Sequence, residues 1–590
     1  MWKYIFVFVV ISSLFSCVGN DEKSIPVEEL RIPFTEVRGF GRNNQVLWEE
    51  IKSGVHASFI TTNTRVDKSQ FPHWKNTSMN RVTGWKGERV YTQIVLWSKE
   101  NVNDIKVEVS PLNSKEGTKI LSESVSIAEV KYVITDEFGE GCDKRSPKDY
   151  DSAAVADILD PYVGGVNLEK YIIRPIWITI DIPADMDADI YYGKIGIITG
   201  EKRSELFLEV EVIDRILPSP DKWKFHLDLW QNPFAVARIH EVEPWTDKHF
   251  EFLRPYLNML ANAGQKCITT TIIDQPWNSQ TFDPFQSMVK WIKKKDGTWE
   301  YDYSIFDKWV EFAMSCGITE QINCYTMIPW HLKFRYFDEK TNEFQVLEAS
   351  PETNEYKIHW KNMLMDFVEH LKDKGWFEKT TISMDERPLP AMQAVLSLVK
   401  EVDPDIKITL AGSYHPELAS ELYDYCVASE WKFSSELLTS RKERKSPTTF
   451  YTCCVEQYPN IFTFSPPAEA VWLGWFAAAQ GYDGYLRWAY NSWVEDPLHD
   501  SRFRSWPGGD TYVVYPGARS SIRFERLREG IQDFEKIHIL LNEYSEGSQE
   551  KIELTHILKQ FEISELEKTS AAFQITGGKK LLNKPVIKEF

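Results

Sequence analysis

The stretch "NEYKIHWKNMLMDFVEHLKDKGWFEKTTISMDE", residues 354–386, decides the fold class of the C-terminal part of the chain. Residues 354–375 follow the pattern of an amphipathic helix, and "TTISMDE", residues 380–386, has the composition of a strand. Two acidic residues, Asp385 and Glu386, stand side by side where that strand is expected to end. A solvated surface turn is the plainest explanation of such a pair, and it has to be weighed against the rest of the sequence.

The alternation of strand and helix repeats throughout the C-terminal part. The predicted strands are, in order, "KFHLDLW", "KCITTTIID", "QINCYTM", "TTISMDE", "IKITLAGS", "CVASEW", "TFYTCCVE" and "GYLRWAY". Amphipathic segments predict helices between them, including "PELASELYDY" (416–425) between the fifth and sixth strands. Eight such units predict a (β/α)8 TIM barrel over residues 224–590, with further helices at its C-terminal end. An open doubly wound sheet is the alternative, but no glycine-rich phosphate loop follows the first strand.

Residues 24–215 show the two-residue alternation of strands instead. Short runs rich in Val, Ile and Tyr, such as "RVYTQIVLWS" and "RPIWITIDIP", are separated by clusters of Gly, Pro, Asn and Asp. This spacing predicts an all-β sandwich. The segment "RILPSPDKWK", with two prolines that would interrupt a β-ladder, predicts a linker to the barrel. The chain is therefore expected to be multidomain.

The first residues read "MWKYIFVFVVISSLFSCVGNDEK". Lys3 precedes an apolar stretch too short to span a bilayer as a mature helix. The stretch ends in Leu-Phe-Ser-Cys, which resembles a bacterial lipobox. Residues 1–17 are thus predicted to be a lipoprotein signal peptide, with Cys17 lipidated and the protein held in the cell envelope, at the outer membrane or in the periplasm. An ordinary secretory signal is the alternative, and the lipid anchor is the only membrane contact expected.

Composition narrows the classes of partner and cofactor. The net charge of −19 opposes binding to nucleic acid. The spacing of the cysteines after Cys17 suggests neither a disulfide scaffold nor a zinc site, and the neighbours Cys453 and Cys454 are expected to be buried free thiols. The histidines show no HExxH spacing either. We therefore expect no metal and no cofactor.

In a (β/α)8 barrel the chemistry lies at the C-terminal ends of the strands, where Asp385 and Glu386 fall. Other carboxylates and aromatic residues are expected at the same rim, and a long connection, residues 491–517, adds more. The residues predicted to bind substrate are Asp228, Tyr325, Glu430, Trp431, Glu456, Trp488, Tyr490, Asn491 and Asp510. Aromatic rings pack against the C–H faces of sugars, and carboxylates bond their hydroxyls. This combination favours glycoside chemistry over a surface turn.

Vicinal carboxyls are poorly placed for the usual retaining scheme, which needs two carboxyls about 5–5.5 Å apart on opposite sides of the bond. They suit a substrate-assisted scheme, in which the 2-acetamido oxygen of the sugar attacks its own anomeric carbon. One carboxylate then orients the acetamido group, while the other protonates the leaving oxygen and later activates water.

A resemblance to a known family adds to this argument. "TISMDERP", "GYLRWAYNSWVEDP" and "WPGGDTYVVYPGARSSIRFERLREGIQDFEKI" resemble the catalytic domain of glycoside hydrolase family 123. The resemblance covers nearly the whole chain after the signal. It implies a β-sandwich before a (β/α)8 barrel and a β-N-acetylgalactosaminidase that acts by substrate assistance. It also implies Asp385 as the residue that orients the acetamido group and Glu386 as the general acid/base.

Two other functions stay open at this point. The first is a conventional retaining glycosidase, with Glu386 as acid/base and Glu456 as nucleophile, because barrel glycosidases of that kind keep these carboxylates at strands four and seven. The second is a non-catalytic glycan-binding lipoprotein that uses the aromatic cleft as a receptor.

Overall fold

A computed structural model describes residues 25–584, apart from 38, 40–44, 140–145 and 147–151. The predicted signal peptide and Cys17 lie outside the described residues. Within the described ranges, no helix combines the length and the apolar character needed to cross a bilayer.

The N-terminal region consists mainly of strands. Two short helices come first, α1 Val27–Leu30 and α2 Gln45–Glu49. The strands are β1 His56–Ile60, β2 Met79–Lys86, β3 Arg89–Ser98, β4 Val102–Val109, β5 Leu112–Asn113, β6 Lys119–Ile120, β7 Val125–Thr135, β8 Ala153–Pro161, β9 Val166–Leu168, β10 Ile172–Asp181, β11 Ile190–Thr199 and β12 Lys202–Ile216.

These strands form two mainly antiparallel sheets. One has the order β1-β3-β10-β7-β8, and the other has the order β2-β12-β11-β4-β9 with β5 and β6 at its side. Side chains from both sheets, among them Ile94 and Ile176 from the first and Val107 and Leu208 from the second, share one buried apolar cluster. The strand-rich region is therefore confirmed, and the sandwich arrangement stays a prediction.

The C-terminal region contains eight parallel strands in a nearly closed barrel. They are β13 His226–Leu229, β14 Cys267–Thr271, β17 Gln321–Tyr325, β20 Thr380–Asp385, β21 Lys407–Gly412, β22 Asp424–Ala428, β23 Thr448–Tyr451 and β24 Gly484–Arg487. Their order is β13-β24-β23-β22-β21-β20-β17-β14. At the remaining seam, the amide of Lys266 donates to the carbonyl of Leu227 at 3.0 Å. This arrangement matches the predicted (β/α)8 barrel.

Helices lie between these strands, and the sequence predicts all of them except the first, the short α3. They are α3 Pro233–Ile239, α4 Asp247–Ala261, α5 Ser304–Ser315, α6 Asn354–Asp373, α7 Leu389–Val402, α8 Ser435–Glu443 and α9 Pro467–Gln480. After the barrel come α10 Ile522–Glu543, α11 Gln549–Leu558 and α12 Ala571–Leu582. The hydroxyl of Thr246 caps α4 by accepting from the amide of His249, and Gly264 beyond its end has a φ of +87°.

Two features differ from the sequence prediction. The expected helix in "PELASELYDY" is a single 3-10 turn, Pro416–Leu418, because β22 already begins at Asp424 and leaves too little chain for a helix. In addition, the connections after β14 and β17 contribute an unpredicted four-stranded sheet in the order β16-β15-β18-β19. Its strands are β15 Lys290–Lys293, β16 Trp299–Asp302, β18 Lys333–Asp338 and β19 Glu343–Glu348.

Buried ion pairs connect the N-terminal sheets to the barrel. Asp157 on β8 accepts from the guanidinium of Arg523 on α10 at 2.8 Å and from the hydroxyl of Tyr515 at 2.7 Å. A short strand, β25 Ser520–Ser521, pairs with β8 directly. Arg65 of the N-terminal region also binds Asp157, at 3.1 Å, but without the N-terminal region the buried guanidinium of Arg523 would lose its carboxylate partner.

The connection 491–517 also rests on the N-terminal region. The backbone of Ile134 on β7 donates to His499 at 2.8 Å and accepts from Ser501 at 2.9 Å. Farther along, the amide of Gly508 donates to the carboxyl of Asp136 at 2.9 Å. A sheet of the N-terminal region therefore fixes the course of a loop at the rim of the barrel.

Candidate active site

The acidic pair lies at the point where β20 ends. Asp385 is the last residue of the strand, and Glu386 has a φ of +49°, in the left-handed region that few residues other than glycine adopt. The amide of Glu386 donates to the carbonyl of Ala411 on β21 at 2.7 Å, which holds this conformation. The change in backbone direction breaks the alternation of a regular strand, so both residues line one cavity.

The backbone of Glu386 packs closely against the end of β21. A β-carbon added to Gly412 would lie 3.0 Å from the Cα of Glu386 and 3.3 Å from its nitrogen. The absence of a side chain at Gly412 thus makes room for the turn that presents Glu386 to the cavity.

We call the first cavity the glycone cavity. Its volume is about 160 Å³, and its walls are rich in tryptophan. Its lining residues are Trp230, Trp277, Gln280, Trp330, Asp385, Glu386, Ala411, Tyr451, Cys453, Cys454, Val455, Leu486, Trp488 and Trp506. Flat apolar walls with a few carboxyls are what a sugar ring requires.

Asp385 is held by an aromatic and a basic neighbour. The indole of Trp330 donates to its Oδ2 at 3.4 Å, and the guanidinium of Arg387 lies 4.5 Å from the centre of the Trp330 ring. Burial, followed by the carboxylate of Glu386, raises the pKa of Asp385 to about 8, against the opposing charge of Arg387. The carboxyl of Asp385 therefore keeps its proton near neutral pH in the free protein.

Glu386 has a different neighbour. The hydroxyl of Tyr451, the last residue of β23, donates to Oε1 of Glu386 at 2.9 Å. Burial, followed by the charge of Glu386, raises the pKa of Tyr451, so this hydroxyl keeps its proton and remains a donor. Tyr451 thus fixes the orientation of the Glu386 carboxyl.

A second cavity, which we call the outer cleft, adjoins the first and shares Glu386, Tyr451, Cys453 and Val455 with it. Its volume is about 340 Å³, and its lining residues are Glu386, Ser413, Ala428, Glu430, Trp431, Tyr451, Cys453, Val455 and Glu456. Glu386 lines both cavities, whereas Asp385 lines the glycone cavity alone.

Three residues predicted to bind substrate lie in the outer cleft. Trp431 is 40% exposed, and Glu430 is exposed beside it. Glu456 accepts from the amide of Cys453 at 2.8 Å and from the hydroxyl of Ser429 at 3.1 Å, and burial raises its pKa. Glu430 and Trp431 follow the end of β22 by two and three residues, because that strand ends earlier than expected.

Asp228 and Tyr325 lie below the glycone cavity and outside its lining, which corrects the expectation of direct contact. The ring of Tyr325 packs 4.6 Å from Trp230 and 4.9 Å from Trp277, and so supports the aromatic wall. Asp228 accepts from the side chains of Trp230 at 3.3 Å and Asn323 at 3.0 Å. Burial, followed by Asp424, raises the pKa of Asp228 to about 7.

The predictions at the end of β24 need a similar correction, because only Trp488 lines the cavity. Tyr490 is buried in the barrel core, where its hydroxyl donates to the carbonyl of Tyr256 at 3.0 Å. The side-chain amide of Asn491 accepts from the backbone amide of Asn232 at 2.8 Å and donates to its carbonyl at 2.9 Å. Asp510 binds Arg487 at 2.5 Å in a fully buried pair and accepts from the indole of Trp488 at 3.3 Å, so it positions a wall residue.

Several lining residues were missing from the predicted set. Trp277, Gln280 and Trp330 come from the connections after β14 and β17, and Trp506 comes from the connection 491–517. A tryptophan shortly after a barrel strand, as in "TMIPWH", is the signal that could have identified Trp330. Tyr451 could have been found as an aromatic residue at a strand end.

One of the two neighbouring cysteines differs from the prediction, and one set of possible metal ligands lies close together. Cys453 is free, but Cys454 is disulfide-bonded, so the expectation of a free thiol is wrong for Cys454. Within the described part of the chain, His226, Cys267 and Asp424 bring potential ligand atoms within 4.8 Å of one another. The His226 ring lies 3.1 Å from the Asp424 carboxylate, which gives this cluster an ordinary hydrogen-bonded arrangement at the base of the barrel.

Comparison with known proteins identifies the family. The model described as "Glycoside hydrolase 123, catalytic domain" matches residues 230–540, and "Glycoside hydrolase 123 N-terminal domain" matches residues 59–199. The chain belongs to glycoside hydrolase family 123. This family 123 member is therefore a glycoside hydrolase, which removes the non-catalytic receptor from the alternatives. No curated protein matches the chain in sequence.

Solved structures agree with this assignment. A family 123 glycoside hydrolase from Clostridium perfringens, described in a study of glycolipid glycan hydrolysis, has a TM-score of 0.82 and 28% identity, over 90% of this chain and 97% of that one. A β-glucuronidase from Bacteroides uniformis has a TM-score of only 0.29 and 10% identity, over 77% of this chain and 50% of that one, and carries no argument. The pair Asp385–Glu386 lies inside the matched catalytic region of this family 123 hydrolase.

Proposed function

We propose that this hydrolase releases a terminal β-linked N-acetylgalactosamine, or a related 2-acetamido sugar, from glycans by a retaining, substrate-assisted mechanism. The observation that carries the proposal is the division of the acidic pair between two cavities. Asp385 faces the glycone cavity alone, and Glu386 faces both. One carboxyl can therefore reach the acetamido group of a bound sugar while the other reaches the oxygen that joins it to the leaving group.

Asp385 is the residue that orients the acetamido group. Its ionised carboxylate accepts the acetamido N–H and stabilises the positive charge that develops when the carbonyl oxygen bonds to the anomeric carbon. The same hydrogen bond favours the ionised form of Asp385, whose pKa is raised in the free protein. Binding of a 2-acetamido sugar thus favours loss of the proton from Asp385.

Glu386 is the general acid and base. In the first step the anomeric carbon bonds to the acetamido oxygen, its bond to the leaving oxygen breaks, and the proton of Glu386 passes to that oxygen. In the second step Glu386 takes a proton from water, which attacks the anomeric carbon and reopens the cyclic intermediate. Each step inverts the configuration of the anomeric carbon, so the product retains the configuration of the substrate. Tyr451 holds the Glu386 carboxyl in place throughout.

The conventional retaining scheme with Glu456 as nucleophile has weaker support. A nucleophile must reach the anomeric carbon of the sugar in the glycone cavity. Glu456 lines the outer cleft instead, and its two oxygens accept from the amide of Cys453 and the hydroxyl of Ser429. It is better placed to bond hydroxyl groups there.

The similarity to a solved structure and the N-terminal sequence support proposals about the natural substrate and the location of the enzyme. The similar enzyme from Clostridium perfringens was studied for the hydrolysis of glycolipid glycans, and we propose glycans of that kind as substrates here. The lipobox-like sequence ending at Cys17 supports attachment to the cell envelope through a lipid, with no other membrane contact.

A substrate comparison tests the mechanism. The aryl β-glycoside of N-acetylgalactosamine should be hydrolysed orders of magnitude faster than the aryl β-galactoside, which lacks the internal nucleophile. A thiazoline analogue of the cyclic intermediate should inhibit strongly. Comparable turnover of the galactoside, or a 2-fluoro sugar found covalently bound to Glu456 by intact-mass spectrometry, would overturn substrate assistance.

A further inference from the structure

We infer that Cys454 forms its disulfide with Cys142, and that this bond holds part of the wall of the glycone cavity. Cys454 is disulfide-bonded, and the five other described cysteines are thiols. The chain contains eight cysteines, so the partner is Cys17 or Cys142, both of which lie outside the described residues. A lipidated Cys17 has its sulfur in a thioether and cannot form a disulfide as well. The predicted lipid anchor therefore leaves Cys142.

The described residues that precede Cys142 lie beside the connection that follows β23. The hydroxyl oxygens of Thr135 and Thr463 are 2.7 Å apart. The rings of Phe138 and Phe462 are centred 6.3 Å from each other. Cys142 follows Phe138 by four residues, a stretch that reaches at most about 14 Å. The length of the chain therefore brings Cys142 within reach of the connection that carries the other cysteine of the bond.

Cys454 lies in a turn that forms one side of the glycone cavity. Residues 453–455 all line that cavity. Cys454 is 4% exposed, but Val455 beside it is 57% exposed, so apolar packing holds this turn on one side only. The side-chain amide of Asn460 donates to the carbonyl of Cys453 at 2.8 Å, so the turn lies close to the later part of the same connection. The disulfide adds a covalent link between this wall and the N-terminal region.

Reduction of the disulfide should weaken sugar binding and leave glycoside cleavage largely intact. A dithiol such as dithiothreitol converts the disulfide into two thiols and is itself oxidised to a cyclic disulfide. The turn then has to be ordered when the sugar binds, which lowers the affinity. Asp385 and Glu386 are positioned by β20 and β21, which the disulfide does not join, so the effect should fall on KM and not on kcat. Disulfides persist in oxidising compartments, which agrees with the proposed location in the cell envelope.

Peptide mapping tests the pairing. The oxidised protein is denatured, alkylated with iodoacetamide and digested without reductant, and the peptides are analysed by mass spectrometry. The peptide that contains Cys142 should be linked to the peptide that contains Cys454, and Cys453 should carry the alkyl group. A bond between Cys454 and Cys17, or an alkylated Cys142, would overturn the assignment.

Enzyme kinetics test the consequence. With the aryl β-glycoside of N-acetylgalactosamine, reduction of the wild type should raise KM about fivefold, the factor that ordering one side chain on binding carries, and should change kcat by less than about twofold. Cys142→Ser should show the raised KM without reductant and no further change with it. Because this variant keeps Cys454, it separates loss of the bond from loss of a wall side chain. Cys316→Ser, at the end of α5 and outside both cavities, is the control and should behave as the wild type.

The outcomes separate this inference from the proposed function. An unchanged KM after reduction that mass spectrometry shows to be complete would refute a role for the disulfide in holding the wall. A Cys142→Ser variant that still responds to the reductant as the wild type does would refute it as well. Failure of the oxidised wild type to hydrolyse any 2-acetamido glycoside would instead refute the proposed function, because the peptide map does not depend on activity.

Discussion

Replacing Gly412 by alanine tests whether the backbone turn at Glu386 is needed for catalysis. The added methyl carbon would lie 3.0 Å from the Cα of Glu386 and 3.3 Å from its nitrogen, whereas carbon atoms in comfortable contact are about 3.5–4.0 Å apart. The Glu386 backbone must therefore move by roughly 0.5 Å. Because a 1 Å misplacement can cost about 100-fold in rate, we expect a loss of about tenfold in kcat/KM, or about 1.4 kcal/mol.

The assay for Gly412→Ala uses two leaving groups. A displaced general acid should slow hydrolysis of a disaccharide with a terminal β-linked N-acetylgalactosamine more than hydrolysis of N-acetylgalactosaminyl β-fluoride, because fluoride departs with less protonation. Thermal unfolding should change by only a few degrees, because reduced freedom of the unfolded chain offsets part of the crowding. Gly577→Ala on α12 is the control, since its nearest new contact is the Cδ1 of Ile557 at 3.6 Å. Activity of Gly412→Ala within twofold of the wild type would show that Glu386 does not depend on this turn.

Four further predictions follow from the same structure. Glu386→Gln should abolish turnover of the disaccharide but retain measurable release of a dinitrophenyl leaving group, and equal losses on both would contradict its role as an acid. Tyr451→Phe removes a donor to Glu386 and should lower kcat about tenfold; an unchanged kcat would show that Tyr451 is dispensable. Burial would raise the pKa of Glu36, but Arg174 and Lys68 lower it to about 2. The folded-state pKa lies below the unfolded one, so this stabilisation is present above about pH 4.5 and is lost as the pH falls towards 2. Glu36→Gln should then lower the free energy of unfolding by about 3 kcal/mol at pH 7 and by less than half of that at pH 3, as measured by urea denaturation; a pH-independent difference would contradict the ion pairing. Cys17→Ala should abolish metabolic labelling with a palmitate analogue, and equal labelling of wild type and variant would contradict lipidation.

The barrel was predictable because its signals are local. Each strand and each helix carries its own periodicity, and the position of Asp385 and Glu386 at a strand end follows from counting along one segment. The helix expected in residues 416–425 was wrong because the prediction ignored how early the next strand begins. The additional four-stranded sheet was missed because its strands come from two separate connections and pair only in the folded protein.

The lining of the site was harder to predict than its location. Beyond a strand end, the direction of a side chain depends on the loop that follows, so Tyr490 and Asn491 were expected in the cleft but turn into the core. Trp277, Trp330 and Trp506 meet in one cavity although they come from three connections far apart in sequence. No local sequence pattern predicts that these three side chains lie in the same cavity.

The connection 491–517 has a consequence for how such enzymes can be recombined. It carries Trp506 to the wall of the glycone cavity, and its course is fixed by hydrogen bonds to Ile134 and Asp136 of the N-terminal region. A barrel fused to an N-terminal domain from another protein would keep Asp385 and Glu386. It would lose the hydrogen bonds that position the loop carrying Trp506. The N-terminal sheets and the barrel should therefore be inherited, exchanged and engineered as one unit, even though the sheets enclose a hydrophobic core of their own.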